Sequence, residues 1–117
     1  VNRSLDDPGF LACAREALAA DFDAPTWDNA PEWRRRAAAA VAEAALDTNN
    51  PDFARSAWTH EMCAMGWRWD REGDEARKTH PGIVFGELTR GGTRHWLSVV
   101  RRVRLVGIHH GLRMLGP

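Results

Sequence analysis

Residues 65 to 88, MGWRWDREGDEARKTHPGIVFGEL, concentrate the side chains of this chain that can do chemistry. Two indoles stand two apart, Trp67 and Trp69, before a charged run that ends in Lys78 and the pair His80-Pro81. An indole face stacks on any flat heteroaromatic ring, worth about 1–3 kcal/mol per base in single-strand nucleic-acid sites. Lys78 and Arg77 offer charge for an anion, and His80 contacts a ribose or phosphate when suitably protonated. Each residue also has a plainer role. Gly66-Trp67 after a helix end folds the indole back onto the core, and Trp58 suits core or pocket equally. His80 before a proline is held extended and fixes a turn, while residues 70 to 78 suit a solvated loop.

Other chemistry is weaker. His60 and Cys63 share a helical face, but no second ligand pair has matching spacing, and His109-His110 diverge on a helix. Met62, Ala64 and Met65 around Cys63 suggest a buried thiol rather than an activated nucleophile. No Gly-rich phosphate loop or carboxylate pair is present, so a non-enzymatic protein without cofactor or metal is expected.

The elements that must position these residues are helical. Asp7-Pro8 starts a helix whose stripe is Phe10, Leu11, Ala14, Leu18 and Phe22. Asn29 and Glu32 have capping-box spacing before a second helix running to about Asp47, with Trp33, Ala37, Ala40, Val41, Ala44 and Ala45 inward. Asn50-Pro51 opens a third helix, carrying Phe53, Ala57, Trp58, Met62 and Met65, that stops at Gly66 in a left-handed cap. GWRWDRE and GIVFGEL then suggest two short extended pieces that pair as a hairpin or lie over the helices. TRGGT reads as a flexible turn with Thr93 as the cap of a last helix, where Trp96, Val99, Val100 and Val103 face the core. The stretch from 105 to 117, with Gly107 and Gly111, is expected to fray or to pack as a loosely helical tail.

With 117 residues, 44% hydrophobic and 27% charged, the chain fits one ordinary globular domain. No apolar run approaches the roughly 20 residues of a membrane span, no secretory leader is visible, and two cysteines make no disulfide framework. A cytoplasmic protein is expected. Sixteen basic and sixteen acidic residues cancel, which argues against a strong nonspecific nucleic-acid binder. All six arginines after Glu87 nevertheless lie beyond the last acidic residue, and Arg94, Arg101, Arg102 and Arg104 give the last helix a basic face.

The segment AWTHEMCAMGWRWDREGDEARKTHPGIVFGEL resembles the RyR domain, the module repeated in ryanodine receptors and found alone in bacteria and their phages. Trp58 stands nine positions before Trp67, as that pattern asks, and Gly66, Trp67, Asp74, Lys78, His80, Pro81, Val84 and Leu88 match in order. PTWDNAPEWRRRAAAAV is similar to the helix that precedes the motif in stand-alone members, so the likeness covers residues 25 to about 90. The chain departs from the pattern at Trp69 (tyrosine), Asp70 (glycine), Met62 (a basic residue), Phe85-Gly86 (Pro-Tyr) and His95-Trp96 (Lys-Asp), and the spacing to Glu87-Leu88 is one residue short.

The resemblance implies a single mainly α domain with a short extended element or β-hairpin between the third and last helices. It implies a binding module for a nucleotide-like anion, an adenine nucleotide or ADP-ribose-like compound, stacked on the tryptophan that Trp58 matches. The expected site residues are Trp58, Met62, Trp69, Asp74, Lys78, His80 and Pro81, with Met62 giving an apolar floor in place of the family's cation. The competing expectation is a phage-type accessory protein that docks on an acidic protein partner, or on nucleic acid, through the basic last helix. For a phage protein the compartment is the bacterial host's cytoplasm.

Overall fold

The computed structural model describes residues 3–21 and 23–114; Phe22, expected on the first stripe, lies outside them. Helix α1 spans Pro8–Ala19, a 3-10 turn Trp27–Asn29, α2 Glu32–Asp47 and α3 Pro51–Ala64. Two-residue strands β1 (Arg68–Trp69) and β2 (Thr79–His80) precede the long helix α4, Arg90–His109. The protein is therefore mainly helical, with its small extended element between α3 and α4. Among the described residues no helix is long and apolar enough to cross a membrane.

Two starts follow the expected local rule. Asp7 accepts from the Gly9 amide at 2.9 Å and Asn50 from the Asp52 amide at 2.9 Å, each with proline at the first helical position. The start of α2 does not. Its cap is Pro31 without a side-chain bond, and Asn29 sits in the 3-10 turn, its Nδ2 donating to Thr26 Oγ1 at 3.0 Å. A capping box at Asn29 needs Ala30 helical, but Ala30 precedes Pro31 and is extended, with φ −75° and ψ 140°. Arg35 fastens the 3-10 turn to α2 instead, donating to the carbonyls of Trp27 (2.8 Å) and Asp28 (2.9 Å).

Helix α3 ends as expected. Gly66 has φ +89°, and the Trp67 amide donates to the Met62 carbonyl at 3.0 Å, the six-to-one bond of a Schellman cap. Helix α4 begins four residues earlier than expected. Thr89, not Thr93, is the cap: its hydroxyl oxygen accepts from Gly92 N at 3.0 Å, so the glycine pair forms a first turn rather than a loop. Its far end follows the helical one of the two expected alternatives, because the helix continues to His109. Gly107 is buried against Cys13 and Leu46, and Leu112 N donates to Gly107 O at 2.9 Å across the left-handed Gly111.

The strands pair in parallel, Arg68 with Thr79 and Trp69 with His80, so the hairpin expected with residues 82 to 88 does not form. The chain doubles back at Asp74 and Thr79, whose backbones exchange two 3.0 Å hydrogen bonds around Lys78 at φ 54°. Pro81, with no N–H to offer, then ends the ladder.

The main core joins α1, α2 and α4 through Phe10, Cys13, Val41, Leu46, Val100 and Val103. A second cluster, Ala37, Met62, Trp67 and Ile83, ties α2, α3 and the segment after α3 together, with Trp67 5% exposed in the core role its sequence suggested. The stripe on α3 is rotated from expectation. Ala54, Arg55, Thr59 and Met62 are buried, while Phe53 is half exposed at 50%. One step of about 100° beyond Met62 carries Cys63 to the outside, so the thiol expected to be buried is exposed and Cys13 is the buried one. Burial pushes the Cys13 thiol up from its ordinary range, and its Sγ lies 3.7 Å from the Val103 carbonyl.

Candidate functional site

A cavity of about 360 Å³ opens where α1, α2, α3 and α4 meet the chain after β2. Its aromatic walls are Trp33 from α2, Trp58 from α3 and Trp96 from α4. Each stands where its helix brings a large side chain to the edge of the core. Trp58 lies one turn before the buried Met62, and Trp96 lies one turn before Val99 and Val100. Ala17, Ala37 and Ala38 put only methyl groups at the floor, and these small residues leave the volume unfilled.

The rings form a connected set. The His80 ring meets Trp58 edge-on at 5.1 Å between centroids, Trp58 lies 6.3 Å from Trp96, and His95 lies 5.4 Å from Trp96. Trp33 is backed by Trp67 at 4.3 Å and carries the Arg34 guanidinium 5.1 Å from its centroid. The polar groups are few. Asp21 and Arg34 line the cavity and stand 3.6 Å apart, and His80 and His95 complete it.

His80 is the most constrained of them. Its Nδ1 accepts from the Gly82 amide at 2.8 Å, so the neutral ring carries its proton on Nε2 as a donor. Burial lowers its pKa from the usual 6.5; Asp21 pulls it back up and Arg34 pushes it further down. The neutral imidazole is the form this site favours.

Of the residues expected from sequence, Trp58 and His80 line the cavity. The others lie elsewhere. Met62 is completely buried beneath Trp67 and Ile83, so it is not a pocket floor open to ligand. Trp69 is 58% exposed on β1 and does not line the cavity. Lys78 Nζ donates to the Met65 carbonyl at 3.2 Å, and Asp74 Oδ1 accepts from Ala76 N at 3.0 Å, so both brace the 70–78 loop. Pro81 is exposed and follows the strand. Trp33, Trp96, Arg34, Asp21 and His95 were not anticipated. Their signal in the sequence was thin: an indole at the end of an apolar stripe, and a cation next to a tryptophan.

The arrangement can hold a flat ring against indole, donate from Nε2 of His80, and offer one guanidinium to an anion. Among the described residues no group of three or more His, Cys, Asp or Glu side chains is placed to hold a metal ion. Comparison of the chain with protein-family models, curated proteins and solved structures found no match.

Proposed function

We propose that the chain is a non-enzymatic binding module whose indole-walled cavity takes a nucleotide-like anion. The observation that carries this reading is the convergence of Trp33, Trp58 and Trp96, from three helices, on one cavity with Arg34 and His80 at its edge. Small-molecule pockets run from about 300 to 1,000 Å³. A cavity of about 360 Å³ suits a base with its sugar, with phosphate left at the mouth near Arg34. The resemblance to the RyR domain leads to the same ligand class, because its nucleotide-stacking tryptophan is the one Trp58 matches. With Met62 in place of the family's cation and Lys78 bonded to the Met65 carbonyl, the expected phosphate contact shifts from α3 and the loop to Arg34.

The competing reading, docking through a basic last helix, has less support. Arg102 Nε donates to Glu16 at 2.8 Å and Arg104 Nη1 donates to the Ala45 carbonyl at 2.8 Å. Two of the four arginines of that face therefore bond to groups of the fold, although Arg102 stays exposed along with Arg94 and Arg101.

Titration of intrinsic fluorescence with adenosine, AMP, ADP and ADP-ribose tests the proposal. Saturable quenching at micromolar to millimolar Kd, about −8 to −4 kcal/mol, is expected. Trp58→Ala removes most of it with the fold intact. Arg34→Gln weakens the phosphorylated ligands and leaves adenosine unchanged. No saturable quenching by any of the four overturns the reading.

A further inference from the structure

Helix α1 ends at Ala19, and the turn that follows brings Asp21 to the edge of the indole cavity. That turn holds the carboxylate in place. Asp21 N donates to Leu18 O at 3.1 Å, Ala24 N donates to Asp21 O at 2.9 Å, and Asp21 Oδ1 accepts from Asp23 N at 3.2 Å. The second oxygen, Oδ2, stands 3.6 Å from Arg34 Nη1, across from it on α2. This separation is too long for a hydrogen bond. Asp21 therefore places its charge beside the guanidinium without taking up a guanidinium donor.

Among the described residues, Asp21 is the one carboxylate lining the cavity and Arg34 the one arginine or lysine. Their charges cancel. A phosphate at the mouth takes hydrogen bonds from Arg34, and it does so next to a fixed negative charge. A phosphodiester carries one charge per phosphorus. A terminal phosphate carries nearly two above its second pKa of about 6. The second charge meets no cation that Asp21 does not already offset. Asp21 is 57% exposed, so water screens the repulsion and keeps it to the scale of a surface charge pair.

We infer that Asp21 is a specificity-determining residue that selects ligands by phosphate charge. It favours nucleotides whose phosphates are esterified on both sides, cyclic monophosphates and ADP-ribose-like diesters, over those that end in a free phosphate. This rests on the nucleotide reading of the cavity.

Two ligand pairs, each differing by one charge, test it: cyclic AMP against AMP, and ADP-ribose against ADP. Affinities are measured by fluorescence titration at about pH 8, above the ordinary histidine value of about 6.5. Wild type should bind the diester of each pair more tightly. Asp21→Asn removes the charge and keeps an oxygen for the Asp23 amide. Asp21→Ser does the same with a hydroxyl, a second route should the first variant fold poorly. In both variants the two affinity ratios should fall by about three- to fivefold, the worth of one exposed charge pair. Discrimination that comes from ligand shape alone would survive these changes. High salt should compress the wild-type ratios and move those of the variants less. Ratios that both variants leave unmoved overturn the inference, as does tighter binding of AMP and ADP by wild type. Binding of all four ligands without discrimination sinks the selector role alone, whereas binding of none removes the nucleotide reading and this inference with it.

Discussion

His80 carries its own pH signature. Its Nδ1 is used as an acceptor from Gly82 N and its ring is half buried, so folding favours the neutral imidazole and lowers its pKa from 6.5. Below that value the unfolded chain binds the proton more readily than the folded one, and stability rises with pH where the unfolded state holds more protons. The contribution of His80 is thus fully present above about pH 6.5, the ordinary value for histidine, and is lost as pH falls through the depressed folded value. Asparagine can offer its side-chain oxygen to the amide two residues on, as in an Asx turn. His80→Asn is therefore expected to keep the turn while flattening the acid limb. Urea unfolding between pH 7 and pH 5 checks this: the wild type should lose more stability on acidification than the variant. Parallel losses would show that His80 is not the titrating group.

At the scale of the elements, α4 is set by two glycines with opposite roles. A methyl group added at Gly107 would lie 2.8 Å from Leu46 Cδ2, which is fully buried, and closer still to the flexible end of Met114. Alanine gains about 1 kcal/mol of helix propensity over glycine, but overpacking a core costs about 1–3 kcal/mol. Gly107→Ala should therefore be net destabilising by about 1 kcal/mol. Gly91 meets nothing within 4 Å in the first turn of the same helix. Gly91→Ala should be neutral or stabilising, by up to about 1 kcal/mol. Urea midpoints on opposite sides of the wild type would establish both packings; Gly107→Ala at or above the wild type would refute the one at Gly107, and Gly91→Ala below it would refute the open space at Gly91. These glycines also mark where the sequence was legible. Asp7-Pro8, Asn50-Pro51 and Gly66 act through bonds to residues a few positions away, and each was read correctly. Asn29 failed because the pre-proline restriction on Ala30 outweighed the capping spacing. Gly91 and Gly92 read as a turn because the oxygen that makes them helical belongs to Thr89, outside the expected cap. Gly107 read as part of a frayed or loosely helical tail because its reason for close packing is a neighbour 61 residues away (107 − 46), Leu46. The site follows the same logic. Trp58 and His80 were found through a local pattern, while Trp33, Trp96 and Arg34 join them only when four helices converge.

For the whole molecule, stability and binding compete for the same space. The helices close fully where Val100, Val103 and Leu46 meet, and fall short where Ala17, Ala37 and Ala38 face the three indoles. Longer side chains at those alanines would complete the core and erase the cavity. Ala17 is the cleanest place to force the choice, because it is only partly buried and lines the cavity from α1, the helix that carries none of the three indoles. Leucine there adds apolar contact without replacing any polar group, and cavity-filling changes of this kind commonly yield about 0.5–2 kcal/mol. Ala17→Leu should therefore melt above the wild type in the absence of ligand. A ligand that binds only the folded state adds about 2.7 kcal/mol at a hundred times its Kd. Saturating ADP-ribose should raise the wild-type Tm accordingly and leave that of Ala17→Leu unchanged. Thermal scans of both proteins, with and without ligand, give four values that decide the matter. If the filled variant still gains from ligand, the nucleotide binds outside the indole cavity. If it melts below the wild type, the alanine floor is packed and is no reserve of unfilled space.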